Sequence, residues 1–370
     1  MHERKRLQDT QRTPPVGGRE QGGASPAAPA AAPTRPRAAS IEDVAQLASV
    51  STATVSRVLN KPDLVAPDTA RRVQQAVVEL GYRPNMLAKG LTTQRTGVIG
   101  LALPDIFGEF YSELLRGADD EARQLGYHLL VSSEARLNGT GGGGPGGAHG
   151  YVFGLVDGLA LMITEPNDAL LNAAERLNVP LAVLDTTPEG KSFDSIVVDN
   201  EAGTREAVKH LLQGTGADRL RFVGGPKTNF DTQARARAFS ACFGATDRSV
   251  PDNIAFGDYT IGWGEQWARE RLKRGELKGA AVLCANDEIA LGVLQVAQEA
   301  GLSAPTDLRI VGFDDSRLCR LVRPKLSSVH VPAAAAGAAA VRAIVRRVSS
   351  PDAQPELVSL PTRFVARESS

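Results

Sequence analysis

Between Ser51 and Asn60 the chain reads STATVSRVLN, and wound into a helix this segment divides into two faces. Thr52, Ala53, Ser56 and Arg57 fall at i, i+1, i+4 and i+5 on one side, opposite Val55, Val58 and Leu59. The polar side carries the chemistry for reading base edges. Arg57 can fork to guanine O6 and N7 or clamp a phosphate, the Ala53 methyl suits a thymine methyl, and Thr52 offers both a hydroxyl and a methyl. Thr54 and Ser56 are short donors near the helix start, suited to phosphate oxygens. Further on, polar residues stand at the ends of apolar runs: Asp185 after Leu181–Leu184, Asn286 after Ala281–Cys284, and Asp314 after Arg309–Phe313. Such groups either bond the vicinal hydroxyls of a solute or cap the next helix.

The elements that would hold the first set are three helices. Ser40 can cap the first, with Asp43 three residues on completing a capping-box start, and Ile41, Val44, Ala45 and Ala48 form its buried face. Ser51 suits the N-cap of the second helix. Val73, Val77 and Leu80 line a third that Gly81 ends, although Ala66 before Pro67 leaves its start without a side-chain cap. Two short helices joined by a tight turn, with the second presenting small polar residues outward, make a helix-turn-helix.

Beyond Thr96 the pattern alternates. Apolar strands are expected at 98–103, 128–131, 158–163, 181–184, 196–198, 220–223, 281–284 and 309–312, with a helix over 110–125 and others between most strands. Alternation of this kind implies parallel sheets covered by helices, and the number of strands implies two doubly wound subdomains. Asn138–Gly150 (NGTGGGGPGGAHG) reads as a loop, since neither GxGxxG directly after a strand nor GK[ST] is present.

Composition sets the outer limits. Residues 1–39 are rich in Pro, Ala, Gly and Arg and cannot bury enough apolar surface to order themselves, so they are expected to form a disordered basic tail. The formal net charge is zero, which a regulator with one small DNA-reading module allows. Cys242, Cys284 and Cys319 are isolated and fit reduced, packed thiols, and the five histidines are as scattered, so neither metal nor cofactor is expected. No apolar run approaches the roughly 18–20 residues needed to span a bilayer, and Arg4-Lys5-Arg6 precedes no apolar core of a signal peptide. A cytoplasmic protein is expected.

The chain resembles the LacI/GalR family of bacterial transcription regulators. The resemblance rests on Ile41-Glu42-Asp43-Val44-Ala45, Val50 through Asn60, Gly81-Tyr82-Arg83-Pro84-Asn85, Val156-Asp157-Gly158, Val311 through Asp315, Leu326-Ser327-Ser328-Val329 and Val365 through Ser369. It covers residues 40–370. It implies an all-α helix-turn-helix domain over 40–83, a hinge helix and linker over 84–96, and a two-lobed, periplasmic-binding-protein-like α/β domain over 97–370 for effector binding and dimerisation. Leu91 matches the leucine that wedges between base steps at the operator centre, where unstacking is offset by wrapped contact; read on its own, the Leu87/Leu91 pair fits ordinary core as well. With the outward residues of the second helix, the resemblance adds Ser51, Asn60, Tyr82, Asn85, Ala88 and Lys89 to the expected DNA contacts.

In the α/β domain the resemblance places a small effector between the lobes. Arg235 matches the family's effector-contacting arginine and Tyr259 an aromatic that stacks on the ligand; Phe110 and Tyr111 would line the first-lobe side. With Asp185, Asn286 and Asp314 they fit a sugar or nucleoside-like solute, although Arg235 on its own reads equally as a surface helix residue. The expected function is a homodimeric, effector-controlled repressor of a palindromic operator. A solute-binding protein is opposed by the helix-turn-helix, and an enzyme by the absence of a nucleophile elbow, phosphate loop or metal cluster. After Pro361 no leucine heptads suggest a tetramer bundle.

Overall fold

The computed structural model describes residues 39–60, 62–82, 95–133, 154–164, 171, 176, 179–186, 193–242 and 253–370. Residues 1–38 of the tail, 84–94 of the hinge and linker, and the Gly-rich loop expected at 138–150 lie outside them. The chain forms two compact units, one up to Pro84 and one from Asn85.

In the first unit, helices α1 (Ile41–Ala48), α2 (Thr52–Asn60) and α3 (Pro67–Glu79) enclose a small core of Val44, Ala45, Ala48, Val55, Val58, Val73 and Ala76. The capping box is present: the Asp43 N–H donates to Ser40 Oγ at 3.3 Å and the Ser40 N–H to Asp43 Oδ2 at 2.8 Å. Ser49 takes a left-handed conformation (φ 52°) at the end of α1, which turns the chain sharply into α2. Ser51 Oγ then accepts the Thr54 N–H at 3.2 Å. α3 starts on Pro67 without a side-chain cap, as Ala66 requires.

The second unit holds two six-stranded sheets. The first comprises β1 (Val98–Leu103), β2 (His128–Ser133), β3 (Gly158–Met162), β4 (Leu181–Leu184), β5 (Asp194–Val198) and β11 (Leu357–Leu360), in the order β11-β5-β4-β3-β1-β2, all parallel. The second comprises β6 (Leu220–Gly224), β7 (Ile254–Phe256), β8 (Ala281–Cys284), β9 (Arg309–Asp314), β10 (Ser327–His330) and β12 (Arg363–Val365), ordered β12-β10-β9-β8-β6-β7, with only the β10–β12 pair antiparallel. The described helices are α4 (Glu109–Gln124), α5 (Asn200–Leu211), α6 (Phe230–Ala241), α7 (Ile261–Lys273), α8 (Asp287–Glu299), α9 (Leu318–Leu321) and α10 (Ala333–Ser349). In each sheet the chain leaves its first strand in one direction for β2 or β7 and in the other for β3 or β8. The crevice at such a reversal, outside the carboxyl ends of the strands, is where doubly wound folds bind ligands.

The chain passes between the lobes three times: from β5 into α5, from β10 into α10, and from β11 into β12. Two of these passages are tied together, because the Asp199 N–H donates to the Leu360 carbonyl at 2.9 Å and Thr362 Oγ1 to the Asp199 carbonyl at 2.7 Å. α10 returns to the first lobe and packs on α4 within its core. That contact is backbone against backbone: a Cβ on Gly117 would stand 1.9 Å from the Ala334 oxygen, and one on Gly337 2.0 Å from the Leu114 oxygen. Gly117→Ala or Gly337→Ala is expected to lower stability by about 1–3 kcal/mol through overpacking, read as a fall in the urea midpoint. An unchanged midpoint would show that the helices can separate freely.

Candidate functional site

On α2, Thr52, Ala53, Ser56 and Arg57 are exposed while Val55 and Val58 are buried and Leu59 packs against them. The chain therefore presents the polar face read from the sequence to solvent. Thr54 is half-buried, and its hydroxyl lies 2.9 Å from that of Ser51. Tyr82 packs partly buried against the three-helix core. Asn85, Ala88, Lys89 and Leu91, with the side chain of Asn60, lie outside the described residues.

Between the two lobes lies a cavity of about 400 Å³. All seven effector residues expected from the sequence line it. Phe110 and Tyr111, edge to face at 5.4 Å, come from the start of α4, and Asp185 from the end of β4; Arg235 comes from α6, Tyr259 from the loop before α7, Asn286 from the end of β8, and Asp314 from the end of β9. Two contacts cross between lobes beside it. The Phe230 N–H donates to the Thr164 carbonyl at 2.9 Å, and Glu109 receives both the backbone N–H and the side chain of Arg317, with Oε1 3.3 Å from Nε.

Several of these residues are already engaged. Arg235 is 4% exposed. Its Nε donates to Asn200 Oδ1 at 2.8 Å, its Nη1 to the Ala285 carbonyl and its Nη2 to Asp231 Oδ2 at 3.1 Å, while the guanidinium lies 3.8 Å from the Phe313 ring centroid. It is a buried hub, unlike its exposed neighbour Arg237. Asn286 caps α8 by accepting the Ile289 N–H at 2.9 Å and donates to the Tyr259 carbonyl at 3.0 Å. The Tyr259 hydroxyl is 2.8 Å from Asn229 Oδ1 and 2.7 Å from Thr232 Oγ1, and its ring covers Gly225, where a Cβ would stand 2.6 Å from Cζ. These side chains form a preorganised wall.

Asp185 and Asp314 differ from that wall. Neither caps a described helix, since α9 has no side-chain cap, and both take positive φ, 68° and 105°. Such backbones are held only where the surroundings over-determine them, and they gather at ligand sites. Burial, with the nearby Asp231 and Asp314 charges, pushes the Asp185 carboxyl well above its usual value, while Arg235 opposes. Burial does the same to Asp314, with Asp287, Asp231 and Glu288 adding and Arg235 again opposing. Tyr111 and Tyr259 are also raised, chiefly by burial. For Arg235, burial alone would lower the value, but Asp231, Tyr259, Asp314 and Asp185 more than offset it.

Sequence reasoning passed over Asn200, Asn229, Asp231 and Asp287. Asp231 stands four residues before Arg235, a spacing that reads as an ordinary surface pair. Asp287 accepts Ser328 Oγ at 2.6 Å and the Ser316 N–H at 2.7 Å, and burial pushes it to about 6 against the pull of those bonds. A signal for it existed in Gly312, where a Cβ would stand 2.2 Å from Asp287 Oδ1.

Residues 40–85 match the model of bacterial regulatory proteins of the lacI family, and residues 208–370 that of the periplasmic binding protein-like domain. Catabolite control protein A of Priestia megaterium is 33% identical over 89% of this chain and 98% of its own length. The chain belongs to the LacI family. Among solved structures, the LacI-family chain resembles a lac repressor dimer bound to operator and the anti-inducer ONPF, with a TM-score of 0.75 and 26% identity over 90% of this chain and 99% of that one. It also resembles the transcriptional regulator CelR in complex with cellobiose, with a TM-score of 0.65 and 28% identity over 91% and 100%. This LacI-family chain is thus a DNA-binding transcriptional regulator with an effector-binding α/β domain. Among the described residues, no helix is long and apolar enough to cross a membrane and no cluster is suited to a metal ion.

The raised carboxyls have a signed consequence. In the unfolded chain an aspartate titrates near 3.9; in the folded protein Asp185 and Asp314 hold their protons to higher pH, so their contribution is most favourable below about pH 4 and is lost as pH rises through the folded values. Asp185→Asn should therefore gain thermal stability relative to the natural protein as pH is raised from about 4 to 8. Parallel melting curves across that range would contradict the assignment.

Proposed function

We propose that this protein is a cytoplasmic, homodimeric repressor that binds a palindromic operator through α2 and releases or engages it in response to a small sugar-like effector held between the lobes. The observation that carries the reading is one chain bearing both parts: the exposed Thr52, Ala53, Ser56 and Arg57 face, and a walled cavity at the carboxyl ends of two sheets. A two-fold pair of recognition helices reads two half-sites, which is why the operator is taken to be palindromic. Tyr82, Asn85, Ala88, Lys89 and Leu91 are assigned to backbone and minor-groove contacts, with 40–83 as the reading domain and 84–96 as the hinge.

Sugar recognition follows from the donor set. Asp185 and Asp314 accept from vicinal hydroxyls, Arg235 retains N–H groups beyond its three bonds, and Phe110, Tyr111 and Tyr259 supply apolar surface for a ring face. The CelR structure holds cellobiose, which agrees with that chemistry. Among the described lining residues none is arranged as a nucleophile with its base, which supports a role in binding.

The test is selection of duplex DNA from a random pool by the purified protein, followed by titration of the selected site. A palindromic site should emerge, and Arg57→Ala should weaken binding to it by about 1–3 kcal/mol, the worth of a bidentate base contact. Selection of no sequence, or full affinity in the variant, would remove Arg57 from the reading face.

A further inference from the structure

Among the described residues, the cavity lining holds more acidic groups than basic ones. Arg235 is the single cationic side chain among the described lining residues, and it is already paired with Asp231 at 3.1 Å. The other acids at the wall divide into two groups. Glu109 is bridged to Arg317, Asp287 is held by Ser328 and Ser316, and Asp105 accepts the Ile106 and Phe107 N–H groups. Asp185, Asp314 and Glu288 form no ion pair among the described residues, and Asp185 Oδ2 is buried without a hydrogen-bond partner. A buried carboxylate without a partner is costly, and natural sites relieve it with a counter-charge or a proton.

We infer that the effector supplies the missing cation: the cavity takes an amine-bearing sugar or similar small polyol, its ammonium group against Asp185 and Asp314, and rejects phosphorylated or carboxylated solutes. The inference deepens the effector role proposed above and rests on it. An ammonium donates up to three hydrogen bonds and sets one positive charge against the two carboxyls, whereas a neutral hydroxyl donates one and carries no charge. The direction in which burial moves Asp185 and Asp314 agrees, since both carboxyls are raised by burial and by neighbouring acids further than the Arg235 charge lowers them. Among the described lining residues, a phosphate would face Asp185, Asp314 and Glu288 with only the engaged Arg235 to offset them.

Isothermal titration of the full-length protein with glucosamine, galactosamine and mannosamine, each against its neutral parent sugar, its N-acetyl form and its 6-phosphate, tests this. At least one amino sugar should bind about ten- to a hundredfold more tightly than its neutral and N-acetyl counterparts, with no detectable binding of the 6-phosphates. In Asp185→Asn that ratio should fall to near one; Asp314→Asn serves as the second variant, with the same loss expected. Neutral sugars binding as tightly as the amines, or any 6-phosphate binding, would overturn the inference while leaving the sugar-responsive repressor standing. Binding by no sugar of either kind would overturn both.

Discussion

The Arg235 guanidinium, buried under Phe313 and held by Asp231, Asn200 and the Ala285 carbonyl, is the interaction on which the second unit turns. Its partners lie far apart in the chain. Asn200 opens α5, at the first passage from the first lobe into the second, while Asp231 shares α6 with Arg235 and Ala285 ends β8 beside the cavity. Burying a guanidinium is tolerable only when its charge is matched and its N–H groups are satisfied, and here the lobe passage and the cavity wall together meet that demand. Truncating Arg235 would leave the half-buried Asp231 without its ion-pair partner and held by the Asn200 amide, so the residue supports the fold as well as any ligand. A lysine could keep the charge but not the forked bonds.

From that hub the cavity divides into two chemical parts. Asn229, Thr232, Tyr259 and Asn286 are cross-bonded into a rigid wall. Asp185 and Asp314 stand on backbones of positive φ, and burial pushes both carboxyls up against the pull of Arg235. Rigid walls keep the entropic cost of binding low, and unsatisfied groups supply the specificity. Because the cavity draws residues from both lobes, and three chain passages join them, a ligand that prefers one lobe arrangement shifts the balance between arrangements by its difference in affinity.

Much of this was legible in the residues. The helix-turn-helix followed from Ser40, Asp43, Ser51 and the alternate faces of α2, because capping and helical periodicity are local. The long apolar strands β1, β3, β4, β6, β8 and β9 were legible for the same reason. β7, β10, β11 and β12 were not. β10 reads Ser-Ser-Val-His, and its two buried serines are satisfied from distant parts of the chain, Ser327 Oγ accepting the Arg367 N–H and Ser328 Oγ donating to Asp287; β11 and β12 are short edge strands with mixed burial. At the site, Asp185, Asn286 and Asp314 could be placed by their positions after strands. Their differing duties could not, since whether an amide caps a helix or a carboxylate goes unpaired depends on contacts from elsewhere in the chain. The Asn200–Asp231–Arg235 knot spans up to 35 residues and leaves no local pattern.

The central claim is that one small molecule in the cavity changes how tightly α2 holds DNA. The direct measurement is operator affinity by fluorescence anisotropy, with and without a saturating sugar already shown by calorimetry to bind. The account predicts a change of about five- to 150-fold, corresponding to a coupling of about 1–3 kcal/mol, and its loss in Asp314→Asn. Equal operator affinity at full occupancy of the cavity would contradict it.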